Sequence, residues 1–296
     1  MGICPNCGSW VDDGDICMNC GGYDVYDSDD EYQESKESNY DYTQDRDKYS
    51  DKAWKYYNEY KSEEALAYID RALDLDKNNG KNWNRKGIIL EDLKRYPEAE
   101  KCYNRSLELE KSDVVFDNKA RMFYVWAKNL LDESKELPNG LDKLDEAEDK
   151  IIKAIKALSG DSDEDILKYL YLRDSIVYYI DNEKKFQRKL ETLKKYKKSE
   201  LFTLTGVQTD KIKAKLHEGL PLKLVKEPDN KFDKDAIAVY AENEKIGYVA
   251  NNDYTKCKLT SSASELQEKL GNTAQANYML FISRYADINF RIGRLN

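Results

Sequence analysis

Between residues 51 and 198 apolar side chains return every three or four positions, and from residue 201 onward they alternate singly with polar ones. The first pattern predicts amphipathic helices and the second half-buried strands. Within the helical stretch Ala65, Ile69, Ala72, Leu73 and Leu75 recur 34 residues later as Ala99, Tyr103, Ser106, Leu107 and Leu109. A period of that length means stacked helical pairs, the small residues letting two helices approach and the larger ones filling the groove between pairs. A third pair is expected over residues 116–131 and 141–158, separated by Pro138, Asn139 and Gly140, with Ala147, Ile151, Ala154 and Ile155 echoing the pattern. A fourth, over 163–180 and 182–197, carries no clear signature, as suits a cap. Beyond it, strands are expected at 201–207, 220–226, 236–240, 245–249 and 277–283. A tight reversal through Glu242, Asn243 and Glu244 joins the third to the fourth, and helical turns are expected at 254–259 and 263–270. Five short strands in under a hundred residues predict a small barrel or half-barrel.

Residues 1–50 fit neither pattern. They carry 3 basic and 13 acidic side chains, so the chain's net charge of -9 is concentrated there; residues 51–200 come to -1 and residues 201–296 to +2. From Tyr23 to Ser50, Asp, Glu, Ser and six tyrosines alternate without aliphatic period, which predicts a solvated flexible linker over 23–50. Ahead of it stand two C-x2-C-G knuckles, Cys4-Pro-Asn-Cys7-Gly and Cys17-Met-Asn-Cys20-Gly, nine residues apart. Two thiolates of one tight turn can reach a single ion, and two matched knuckles make a closed four-sulfur tetrahedron. One structural zinc ion on Cys4, Cys7, Cys17 and Cys20 fits that site, with iron of rubredoxin type as the alternative. So small a module has little core, and the metal supplies most of its folding free energy. The segment 1–22 resembles the short zinc ribbons at the ends of many bacterial and archaeal proteins. Cys102 and Cys257, standing alone, are expected to be buried small hydrophobes.

Around the 34-residue period, Trp83, Gly87, Tyr96, Ala99 and Tyr103 give the stretch Gly80–Lys111 its character, and it resembles a tetratricopeptide repeat. Lys111 stands where that family usually has proline. The resemblance implies a concave surface over residues 51–198 that takes a protein or peptide partner. The last helix is rich in lysine (Lys184, Lys185, Lys189, Lys194, Lys195, Lys197, Lys198), either a solvated face or an aid to phosphate binding.

The strand-forming region holds Gly219-Leu-Pro-Leu-Lys-Leu-Val-Lys-Glu-Pro-Asp-Asn-Lys-Phe-Asp-Lys-Asp-Ala-Ile-Ala-Val-Tyr, followed by Lys245-Ile-Gly-Tyr-Val. This closely resembles the HIRAN domain, over residues 199–296. The resemblance implies an OB-like barrel that binds DNA, in one branch the free 3′ end of a single strand. Phe232 and Asp233 occupy the family's aromatic and acidic positions. An aromatic ring there stacks on an unpaired base, and the carboxylate accepts the hydroxyl proton of a terminal sugar while repelling a phosphate. Lys223, Lys226, Lys231 and Lys234 are near enough in sequence to contact phosphates. The arginine and paired tyrosines of the end-binding members are missing, since Gly206 is followed by Val207, Gln208, Thr209 and Asp210, and Lys231 replaces a proline. In the alternative reading Phe232 packs in the core and Asp233 caps a turn.

The expected fold class is therefore multidomain α+β: zinc ribbon, helical solenoid and small β-barrel. One histidine, His217, and no G-x-x-x-x-G-K-[ST] loop leave little for hydrolysis or nucleotide chemistry, and a closed four-cysteine site cannot activate water. No apolar run reaches the roughly 18 residues of a bilayer span and no leader precedes the first knuckle, so a cytoplasmic protein with no membrane contact is expected. The functional expectation is a non-enzymatic adaptor that contacts DNA and a protein, the alternative a protein-interaction scaffold without DNA binding.

Overall fold

The computed structural model describes residues 2–3, 10–11, 42–159, 163–207, 209–285 and 288–296. Strands β1 (Gly2–Ile3) and β2 (Trp10–Val11) pair antiparallel. The four knuckle cysteines lie outside the described residues. The chain forms two compact units, residues 1–135 with 145–176, and residues 136–144 with 177–296.

Up to residue 157 helices α1 (Thr43–Asn58), α2 (Ser62–Leu75), α3 (Gly80–Asp92), α4 (Tyr96–Leu109), α5 (Asp113–Glu136) and α6 (Leu141–Ala157) follow one another, all in the first unit except residues 136 and 141–144. α1 packs on α2, α2 on α3 and α3 on α4. The repeat is written into the backbone as well as the side chains. Tyr60 and Lys94 both adopt the left-handed conformation (φ 61° and 58°) at equivalent helix ends. In both turns a six-residue bond closes the helix, Lys61 N–H to the Tyr56 carbonyl at 3.0 Å and Arg95 N–H to the Leu90 carbonyl at 2.8 Å. Gly87 is required by packing: a Cβ there would sit 2.7 Å from the fully buried ring of Tyr103.

Helix α1 begins at Thr43, so the expected linker of 23–50 ends earlier than its composition implies. Polar contacts anchor the first two turns of α1. Arg46 bonds Asp76 at 2.9 Å, buried Ser50 donates to Asn82 at 2.5 Å, and the Arg71 guanidinium lies 4.3 Å from the Tyr49 ring centroid. The expected pair over 163–197 is instead a single 31-residue helix, α7 (Asp163–Leu193). Its sequence through Ile180, Asp181 and Asn182 contains neither Gly nor Pro to break it.

The boundary between units falls within α7, ahead of the expected break at residue 198. Phe186 and Leu193 are buried with Leu201, Cys257, Ile282 and Ile292, which assigns the end of the helix to the second unit. A buried ion pair fixes it there, Arg284 Nε donating to Glu183 at 2.7 Å, and Tyr285 donates to the same carboxylate oxygen at 2.9 Å.

The rest of the second unit is a closed six-stranded antiparallel barrel. Its strands are β3 (Leu201–Thr205), β4 (Pro221–Lys226), β5 (Ile237–Ala241), β6 (Glu244–Val249), β7 (Thr273–Arg284) and β8 (Ile288–Leu295), in the order β3-β6-β5-β4-β7-β8. The interior takes alternate residues of β3, β4 and β5, among them Phe202, Leu204, Leu222, Leu224, Ile237 and Val239, with Ile246 and Val249 from β6. Between β5 and β6, Glu242 and Asn243 both have positive φ (49° and 66°), the two-residue turn that matches strand twist. Gly247 is where β6 crosses β3, since a Cβ there would meet the Thr205 carbonyl oxygen at 2.2 Å. Beyond the five expected strands, β8 closes the barrel, and a short helix α8 (Asp210–Lys215) follows β3. Residues 254–259 form turns and no helix, whereas α9 (Ala263–Gln267) opens on a reciprocal capping box between Ser262 and Glu265.

Candidate nucleic-acid interface

The loop from Glu227 to Ala236, between β4 and β5, is held by its own polar side chains. Asn230 Oδ1 accepts the backbone N–H groups of Phe232 at 3.0 Å and Asp233 at 3.2 Å. Glu227 then holds Asn230: its carboxylate accepts Asn230 Nδ2 at 2.9 Å, Lys245 Nζ at 2.7 Å and the Tyr248 hydroxyl at 3.2 Å. The Lys245 ammonium is the chief reason the Glu227 carboxyl lies below the usual carboxylate range, and the pairing holds Lys245 firmly protonated. With its main chain pinned, the loop presents Phe232 almost entirely to solvent, its side chain 98 % exposed. The core-packing alternative for this residue is thereby overturned.

Asp233 is held beside that ring. Its Oδ1 accepts the Asp235 N–H at 2.9 Å, the turn-capping role, and its Oδ2 accepts Asn251 Nδ2 at 2.9 Å. Asn251 is itself fixed, accepting the Ser264 N–H at 2.9 Å from the start of α9. Each carboxylate oxygen of Asp233 has a second lone pair, so capacity to accept another hydrogen bond remains. The arrangement can stack a flat ring on Phe232 and take a hydroxyl proton on Asp233.

The four lysines divide. Lys231 and Lys234 are exposed and flank Phe232 and Asp233 directly. Lys226 Nζ donates to the Gln267 carbonyl at 2.6 Å, tying β4 to the end of α9. Lys223 points outward from β4, paired across the sheet with Tyr240 and Gln275 over a shallow groove of about 420 Å³. The structure thus gathers Lys231, Phe232, Asp233 and Lys234 at one loop and assigns Lys226 to the scaffold. Sequence reasoning missed Asn251. Its one signal is a pair of asparagines two residues beyond Ile-Gly-Tyr-Val, where a strand end returns beside the loop.

The first unit carries a separate groove of about 290 Å³, lined from α1, α3 and α5 by Tyr57, Ile88, Glu91, Arg121, Val125 and Asn129. Buried Glu91 accepts Arg121 at 2.7 Å and the Tyr103 hydroxyl at 3.1 Å. Burial raises the pKa of its carboxyl, an effect the Arg121 charge opposes.

Residues 81–113 match the tetratricopeptide repeat and residues 199–258 match the HIRAN domain, as expected from their motifs. No curated protein matches the chain. Among solved structures it is similar to the type III secretion translocator chaperone SycD of Yersinia enterocolitica. That likeness has 16 % identity and a TM-score of 0.34, over 47 % of this chain and 88 % of that one. It is also similar to the first tetratricopeptide domain of Spaghetti (RPAP3) bound to an HSP90 peptide, with 16 % identity and a TM-score of 0.32, over 47 % of this chain and 95 % of that one. Among the described residues no cluster of His, Cys, Asp and Glu could hold a metal ion, and no helix is long and apolar enough to cross a membrane.

Proposed function

We propose that this chain is a non-enzymatic, cytoplasmic, zinc-binding adaptor that contacts DNA through its barrel and a protein or peptide through its helical repeats. On the barrel, the ligand is the free 3′ end of a single strand, its last base on Phe232 and its terminal hydroxyl on Asp233. The observation that carries this reading is a fully exposed phenylalanine ring on a loop whose backbone is immobilised by Asn230. Exposed apolar side chains are common, but one beside a carboxylate oriented by Asn251 and between two lysines is a composed surface. Stacking on one ring is worth about 1 to 3 kcal/mol, and a carboxylate discriminates a hydroxyl from a phosphate through charge repulsion. Lys231 and Lys234 add phosphate contacts that weaken with salt.

Fluorescence anisotropy of the full chain with a labelled single strand tests this, comparing a free 3′ hydroxyl with a 3′ phosphate across a salt series. Saturable binding that prefers the hydroxyl, falls with salt, and is lost in Phe232→Ala and reduced in Asp233→Asn is expected. Binding indifferent to the end and to both variants would overturn it.

The commitment of Lys226 to a carbonyl, which leaves two lysines at the loop, favours a second reading, a scaffold that works through the repeats alone. In that case a partner peptide fills the groove between α1, α3 and α5, and Arg121→Ala abolishes its capture while nuclease treatment has no effect.

A further inference from the structure

The barrel carries a further groove, of about 340 Å³, where the end of β3 meets the start of β8. Thr205, Gly206, Tyr254, Thr255, Asn289 and Arg291 are among the residues that line it. Tyr254 is 98 % exposed, matched among the large apolar and aromatic side chains of the described residues only by Phe232. It stands three residues beyond Asn251, the residue that holds Asp233. The two regions also join through β6. A Cβ on Gly206 would lie 4.0 Å from the Tyr248 ring, and the Tyr248 hydroxyl reaches Glu227, which holds Asn230.

The charge of the groove is one-sided. Arg291 is the only charged residue among the described residues that line it. Its guanidinium lies 5.0 Å from the centroid of Phe281, its cross-strand neighbour, which supports the plane without neutralising it. An aromatic face and a guanidinium with no ion-pair partner among the described residues, along one channel, suit a stretch of unpaired nucleic acid, base on ring and phosphate on cation.

We propose that this groove is the track for the nucleotides that precede the terminal one, with Tyr254 stacking on an unpaired base and Arg291 holding a phosphate of the same stretch. The proposal rests on the end-binding reading and extends it, drawing an arginine from β8 and a tyrosine from the 251–258 loop. A strand that reaches only Phe232 and Asp233 gains nothing from the track.

The experiment measures binding of the full chain to oligonucleotides of two, four and six residues with a free 3′ hydroxyl, for wild type, Tyr254→Ala, Tyr254→Phe, Arg291→Gln and Phe232→Ala. Tyr254→Ala is expected to weaken the hexanucleotide roughly tenfold and leave the dinucleotide unchanged, with Tyr254→Phe close to wild type. Arg291→Gln is expected to flatten the salt dependence of the hexanucleotide by about 0.7 in the log–log slope, the share of one single-strand phosphate. Circular dichroism checks that Arg291→Gln keeps the barrel; Tyr254, wholly exposed, does not contribute to it. If Phe232→Ala abolishes binding while Tyr254→Ala and Arg291→Gln bind every length as wild type does, the track is overturned and the end site stands. Equal weakening of all lengths by Tyr254→Ala also overturns the track. If the wild type binds no length, both readings fall together.

Discussion

Replacing Glu183 by alanine tests how the end of α7 is joined to the barrel. The carboxylate is fully buried and its partner Arg284 is 6 % exposed. One oxygen accepts Arg284 Nε at 2.7 Å and the Tyr285 hydroxyl at 2.9 Å, the other accepts Gln187 Nε2 at 2.8 Å. Removing it takes from a buried guanidinium the carboxylate that accepts its Nε, and breaking a buried pair in this way costs about 3 to 5 kcal/mol, far more than the net worth of an intact pair. For a unit of this size that corresponds to a fall in melting temperature on the order of 10 °C. The assay separates the units cleanly, because Trp10, Trp54, Trp83 and Trp126 all belong to the first. Far-ultraviolet circular dichroism should show an early transition in Glu183→Ala, while the tryptophan fluorescence transition stays near its wild-type position. Glu183→Leu combined with Arg284→Met should recover most of the loss, since an apolar pair of similar volume carries no desolvation penalty. A shift of less than about 2 °C in Glu183→Ala, or a double variant no better than the single, would refute the reasoning.

Three further outcomes follow from the same geometry and a fourth from the spacing of the cysteines. Gly87→Ala forces a Cβ against the Tyr103 ring and should cost about 1 to 3 kcal/mol by chemical denaturation, seen in tryptophan fluorescence. Lys94→Gly relieves a left-handed residue (φ 58°) and should stabilise the first unit by up to about 1 kcal/mol in the same titration. Glu265 is held at about 2, first by its bond from Lys198 and then by the Ser262 N–H, so its folded pKa lies below the unfolded value near 4.3. That contribution is complete above about pH 4.3 and is lost as the pH falls toward 2; with both side chains partly exposed it amounts to less than about 1 kcal/mol, and Glu265→Gln should flatten the acid limb of a melting series by that much. Replacing Cys4, Cys7, Cys17 and Cys20 by serine should abolish one equivalent of zinc by mass spectrometry while the helical signal persists, and retained zinc would disprove the assignment.

The helical repeats were legible because their packing is local and periodic. Ala65 and Ala99, or the turns at Tyr60 and Lys94, do the same work 34 residues apart, and a repeated cause leaves a repeated trace. What escaped the pattern was held by polar or distant contacts. The start of α1 rests on Arg46 and Ser50, which look like a continuation of an acidic linker until Asp76 and Asn82 are placed against them. The unit boundary inside α7 depends on Glu183 meeting Arg284 across 101 positions, a separation at which no periodicity operates.

The candidate site divides along the same line. Phe232, Asp233, Lys231 and Lys234 are consecutive, so their chemistry could be read directly, and Asn230 sets the turn that exposes them. Asn251 and Tyr254 come from the far side of β6, and Arg291 from β8, a strand whose alternation of Ile288, Phe290 and Ile292 was present but not recognised. A barrel converts such separations into neighbours by closure alone. On the proposed track β8 supplies the contact for the nucleotides that precede the terminal one, a contact that the loop motif at residues 231–234 does not contain.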